Sequence, residues 1–91
     1  MNPIEIEHHP DEQRLNELGV KQWPIWEKEV SVFPWHYNST EICYLLEGEV
    51  VVTPQDGEPS RFGQGDLVTL LRGLSCTWDI RKAVKKHYSF R

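Results

Sequence analysis

The run from Trp35 to Val52 constrains the fold more than any other stretch of this chain. Trp35, Tyr37, Glu41, Cys43 and Leu45 share one parity, while Ile42, Tyr44 and Leu46 take the other. Side chains alternate across a strand, so Glu41 and Cys43 point to one face and Ile42 and Tyr44 to the opposite one. If the first face is the inside of a barrel, that interior receives an acid, a thiol and two aromatic rings.

The rest of the chain reads as further short strands. Glu47-Gly48 reads as a tight hairpin between Tyr44 and Thr53, and Asp56-Gly57 as the next turn. Asp66 to Leu71 reads as a buried strand ended by Arg72-Gly73. Ser75 to Arg81 then alternates, with Cys76, Trp78 and Ile80 on one side, and Val84 to Phe90 sets Val84, Lys86, Tyr88 and Phe90 on one parity. Upstream, Met1 to Asn16 reads as polar and irregular, with a helical turn over Pro10 to Leu18 stopped by Gly19. Arg14, Leu15 and Leu18 are placed to pack this arm over a barrel or a partner subunit. Val20 to Pro24 is expected to start the sheet, and Pro24 to Pro34 reads as a strand pair turning near Glu27 to Val30, with Trp23 and Trp26 in the core. Strands at a spacing of ~8–12 residues, with turns between them and no long helix, predict an all-β sandwich or barrel. The expected organisation is one domain, with an arm over residues 1–19 and a barrel over residues 20–91.

Composition excludes several function classes. The 91 residues carry a net charge of -4, from 14 acidic against 10 basic side chains, which argues against a nucleic-acid or membrane-surface binder. The late basic cluster of Arg81, Lys82, Lys85, Lys86, His87 and Arg91 reads as a solvated face. Two cysteines without a CxxC argue against a structural zinc site and suit a reducing, cytoplasmic setting with both thiols free. No secretory signal pattern and no apolar run of ~18 residues is present. The adjacent His8 and His9 read as surface histidines, since neighbours on an exposed arm rarely converge on one ion.

From Trp35 to Ile80 the sequence resembles the cupin superfamily, whose first motif carries H-x-H, then E, then six residues and G. Glu41 and Gly48 match that last interval, with Ile42 to Glu47 between them. In the second motif, Gly65, Asp66 to Leu70, and Leu71-Arg72-Gly73 place Cys76 where a histidine stands and Ile80 where an asparagine stands. The chain departs at the H-x-H positions, which are Trp35 and Tyr37 on one spacing and Pro34 and His36 on the other. Trp35 and Tyr37, Glu41, Cys76 and Trp78, and Lys86 and Tyr88 are similar to the pattern of small cupins grouped with ureidoglycine aminohydrolase-like cupins. The resemblance implies an all-β fold, a cupin double-stranded β-helix (jelly-roll) barrel with a short irregular N-terminal arm, and a homodimer.

A cupin metal site needs three or four convergent ligands, and this chain offers Glu41, Cys76 and His36, the last on the opposite parity. A divalent metal held through Glu41 and Cys76 is therefore disfavoured, and no metal ligand is assigned. Metal-free chemistry assigns catalytic roles to Glu41, Cys76 and Lys86: a thiol nucleophile, the carboxylate as base, and an ammonium lowering the thiol pKa. The plainer alternatives are a buried Cys76, a core Cys43 and a structural Glu41–Lys86 pair. Trp35, Tyr37, Trp78 and Tyr88 are the ligand-binding candidates, lining a mouth suited to a flat or weakly polar molecule. The expected function is binding of a small polar metabolite in the barrel, with an enzyme acting on a nitrogen-containing small molecule as its catalytic form. The alternative is a non-enzymatic binding or interaction domain with a vestigial metal site. The expected partner is a small-molecule ligand, with no nucleic acid and no membrane.

Overall fold

A computed structural model describes residues 2–91. Its strands are β1 (Ile4–His8), β2 (Ile25–Lys28), β3 (Ser31–His36), β4 (Glu41–Pro54), β5 (Ser60–Gly63), β6 (Asp66–Leu70) and β7 (Ser75–Phe90), with one helix, α1 (Glu12–Leu18). All strand pairs are antiparallel, in the order β1-β6-β4-β7-β2, with β3 on β7 and β5 on β4. The jelly-roll expectation holds.

The two long strands, β4 and β7, pair along their whole length and exchange outer partners half-way. β4 lies against β6 through Glu41–Tyr44 and against β5 through Glu49–Val52. β7 lies against β3 through Ser75–Ile80 and against β2 through Val84–His87. The hairpin expected at Glu47-Gly48 is therefore absent, because β4 runs on through the glycine. Gly48 has φ 114, and the β4–β7 register shifts three times between Leu45 and Val50. An extra residue in one strand bends it without ending it, and a glycine tolerates the backbone geometry. A Cβ on Gly48 would lie 2.8 Å from the Ala83 carbonyl oxygen and 2.9 Å from Val84 Cα, so the close approach of the two strands also demands glycine.

Three other local expectations change. Ile4–His8, expected to be irregular, pairs with Leu70–Asp66 because Ile4 reaches the core, where it is 2% exposed. Val20–Gln22 forms a turn of 3-10 helix following the left-handed Gly19, and no strand. β2 and β3 do not form a hairpin; both lie along β7, separated by a short break at Glu29-Val30. Helix α1 starts where Asp11 accepts a hydrogen bond from the Arg14 amide and ends at Gly19.

Parity assigns the two faces of β4 and switches across the irregular register between Leu45 and Val50. Cys43, Leu45, Val50 and Val52 are fully buried and join Phe62, Val68, Leu70, Trp78 and Ile80 in the inner core. Each such side chain contributes roughly 1.5–3 kcal/mol through burial. The opposite face, with Ile42 and Tyr44, packs under Leu15, Leu18 and Trp23, so α1 covers the outside of the barrel wall. Among the described residues no helix is long and apolar enough to cross a membrane.

Candidate functional site

Inward parity on β4 and β7 brings the polar candidates together. Glu41, Cys43 and Leu45 stand opposite Phe90, Tyr88 and Lys86 in the ladder, all in the β6–β4–β7 half of the barrel. Lys86 also pairs with Trp26 of β2, and Trp78 with Phe33 of β3, so aromatic rings from the neighbouring strand close over the basic side chain. Tyr37, beyond the end of β3, is fixed by its amide donating to the Leu74 carbonyl at 2.9 Å and its carbonyl accepting from Gly73 at 2.8 Å.

The centre of the site is a buried chain of three groups. Tyr37 donates its hydroxyl proton to Glu41 Oε1 at 2.8 Å, and Lys86 Nζ donates to Glu41 Oε2 at 2.8 Å. Glu41 is 3% exposed and Lys86 5%, so both charges are taken out of water and rely on each other. The ammonium also lies 4.5 Å from the Trp78 ring centroid and 4.8 Å from that of Trp26, which adds cation–π attraction strengthened by desolvation. Burial, reinforced by the Glu41 charge, pushes the Tyr37 phenol far above its ordinary range and keeps it a hydrogen-bond donor. The Trp78 indole nitrogen is buried and has no hydrogen-bond partner among the described residues.

Above this chain lies a cavity of about 240 Å³. Its polar lining is Glu41, Lys86 and Tyr37, and Trp35, Trp78 and Tyr88 form part of its aromatic wall. Six of the seven site candidates drawn from the sequence thus border one space. Trp35 is half exposed at its rim, edge-to-face with Tyr37 at 6.5 Å, rather than inside the barrel. The wall also includes Trp26, Phe33 and Phe90, none of them a candidate from the sequence. Phe90 shares a parity with Lys86 and Tyr88, which could have identified it. Trp26 and Phe33 become visible only through their register against β7.

Cys76 stands apart. Its thiol contacts the Trp35 carbonyl oxygen at 3.7 Å, and it lines a separate surface groove with His36 and Ser75. Burial and the Glu41 charge push the Cys76 thiol up to about 11, the opposite direction to the activation expected from Lys86. The Lys86 charge acts instead on Cys43, where burial prevails and the thiol rises to about 12. Both thiols are free and protonated at neutral pH. The place of Cys76 outside the cavity, with an acid acting on its thiol, speaks against the nucleophile role expected of it.

The donor set does not fit a metal. Both Glu41 oxygens are held by Tyr37 and Lys86, Cys76 lies outside the cavity, and His36 is exposed with its ring hydrogen-bonded to Ser75 at 2.7 Å. Among the described residues no three His, Cys, Asp or Glu side chains converge. The cation beside Glu41 is the protein's own ammonium.

Comparison with known proteins places the fold. The model of the EutQ-like cupin domain matches residues 15–88. A DUF861 family protein from Thermotoga maritima is 49% identical over 97% of this chain and 99% of its own, with a TM-score of 0.93. A putative ethanolamine utilization protein Q from Salmonella typhimurium is 29% identical over 72% of this chain and 53% of its own, with a TM-score of 0.66. The EutQ protein of Clostridium difficile, 21% identical over 72% of this chain and 52% of its own at a TM-score of 0.66, shares the fold. The chain thus spans about half the length of these EutQ proteins. No curated protein matches it.

Proposed function

The chain belongs to the family of EutQ-like cupin domains, and from that premise we propose that its barrel binds a compact, flat metabolite in the aromatic cavity over Glu41 and Lys86. The observation that carries this reading is the union of an aromatic wall with a small convergent polar floor, the usual make-up of a ligand pocket. A cavity of ~150 Å³ is enough to hold benzene, so 240 Å³ suits one ring with a small substituent. The wall gains by covering a flat face, and the floor orients the polar end.

A second reading is catalysis on a nitrogen-containing small molecule, as in the ureidoglycine aminohydrolase-like cupins that the motifs resemble. What favours it is the Tyr37–Glu41–Lys86 chain, in which two proton donors meet one carboxylate beside the cavity, each at 2.8 Å. Release of ammonia from ureide or amide substrates, lost in Glu41→Gln, is the expected outcome of that reading; wild-type protein inert toward such compounds leaves binding alone.

The primary test is to soak crystals with mixtures of single-ring fragments. Binding between Trp26, Trp78 and Tyr88 is expected. Occupancy confined to the groove of His36, Ser75 and Cys76 contradicts the proposal.

A further inference from the structure

Charge and hydrogen-bond capacity at the cavity floor narrow the ligand class, given that the cavity binds a small molecule. We infer that the ligand is uncharged and planar and presents a hydrogen-bond acceptor, a carbonyl or ring nitrogen, to Lys86.

The acceptor requirement follows from what each polar group already does. Glu41 has a donor on each oxygen, Tyr37 and Lys86. Tyr37 has one proton, and it is committed to Glu41. Lys86 has three N–H bonds and one oxygen partner, Glu41 Oε2; the remainder of the ammonium faces the rings of Trp78 and Trp26 at 4.5 and 4.8 Å. Unused capacity at the floor is therefore that of a donor. A ligand oxygen or ring nitrogen completes it, whereas a ligand N–H finds only the second lone pair of a Glu41 oxygen that already takes a donor.

The charge requirement follows from the ion pair. Glu41 and Lys86 are 3% and 5% exposed and sum to zero. An anionic ligand reaching Lys86 also faces Glu41 and leaves the buried set net negative, where water cannot compensate. A cationic ligand is repelled by the ammonium and leaves the buried set net positive. Among the described residues no ionisable side chain borders the cavity besides Glu41, Lys86, Tyr37 and Tyr88, and Tyr37 is held neutral, so nothing else balances an added charge. A neutral acceptor adds one hydrogen bond and disturbs neither charge. The aromatic rings of Phe33, Tyr88 and Phe90 then cover its flat faces.

Benzamide, benzoate and benzamidinium have nearly the same shape and differ in charge, so their binding isolates this effect. The measurement is titration of the intact protein, followed by the amide and indole NMR resonances of cavity residues. Benzamide is expected to bind at least about tenfold more tightly than either ion, and Glu41→Gln/Lys86→Met, which removes both charges together, to weaken benzamide by a similar factor. Equal or tighter binding of benzoate or benzamidinium at the cavity overturns the neutral-acceptor inference and leaves small-molecule binding standing. So does benzamide binding unchanged in the double variant. If none of the three moves a cavity resonance at ~10 mM, both the inference and the binding reading on which it rests fail.

Discussion

Lys86 pairs with Leu45 across the β4–β7 ladder, yet its ammonium meets Glu41, further along β4, at 2.8 Å. The side chain runs along the barrel interior past Cys43 instead of across it, which explains why its charge is felt at Cys43 and not at Cys76. That longitudinal contact places a cation at the cavity floor.

Breaking the pair on one side strands the other charge. Lys86→Met is expected to destabilise the protein by about 3–5 kcal/mol, and Glu41→Gln/Lys86→Met to recover most of that loss. Urea denaturation of the two variants and wild type measures this. A Lys86→Met loss below ~1 kcal/mol means that water reaches Glu41 and that the pair is not buried in solution.

The alternation of Glu41, Cys43 and Leu45 made the inward acid legible from sequence, because a strand with one buried face allows one register. The run Lys86, Tyr88 and Phe90 made its partner legible in the same way. What alternation does not show is whether a glycine ends a strand or bends it. Glu47-Gly48 between apolar runs has the local chemistry of a turn, and only the long-range pairing of β4 with β7 carries the chain straight through. Nor does matching a family motif locate a side chain's neighbours. Cys76 stands at a position where a cupin ligand is expected, yet its surroundings are set by Trp35 and Pro54 on the adjoining strands.

The account of Gly48 has its own consequence. Gly48→Ala is expected to cost more than ~2 kcal/mol, since it adds a backbone clash to a positive φ of 114. Gly73→Ala, at φ 93 with open space around the new methyl, is expected to cost only ~1 kcal/mol. Chemical denaturation of both variants gives the comparison. Equal losses mean that the close approach of β4 to β7 contributes nothing.

Thiol titration sets an alkaline limit on stability. Cys43 rises from an ordinary 9.0 to about 12 in the fold, so below pH 9 both folded and unfolded chains keep the proton and the shift has no effect. Above pH 9 the unfolded chain releases it and the folded chain does not, so stability falls as pH climbs toward 12, by about 1 kcal/mol at pH 10 for this thiol. Denaturation midpoints from pH 8 to 11 should fall less steeply in Cys43→Ala. Parallel curves for variant and wild type contradict the assignment.

Reactivity separates the two cysteines. Cys76 is 6% exposed with its thiol at about 11, and Cys43 is fully buried at about 12. Iodoacetamide should modify both slowly at pH 7.5, Cys76 before Cys43, and Lys86→Met should leave the Cys76 rate within about twofold of wild type. A rate for Cys76 that drops tenfold in this variant restores activation by Lys86.

The four indole N–H resonances report ligand binding site by site, because the tryptophans are divided between the cavity and the outer wall. Trp26, Trp35 and Trp78 line the cavity, whereas Trp23 packs outside with Leu15 and Leu67. On titration with benzamide, the first three resonances should shift together along one saturating curve while Trp23 stays fixed. Movement of Trp23 with the cavity tryptophans unmoved, or no movement at any of the four, contradicts a ligand-binding site over Glu41 and Lys86.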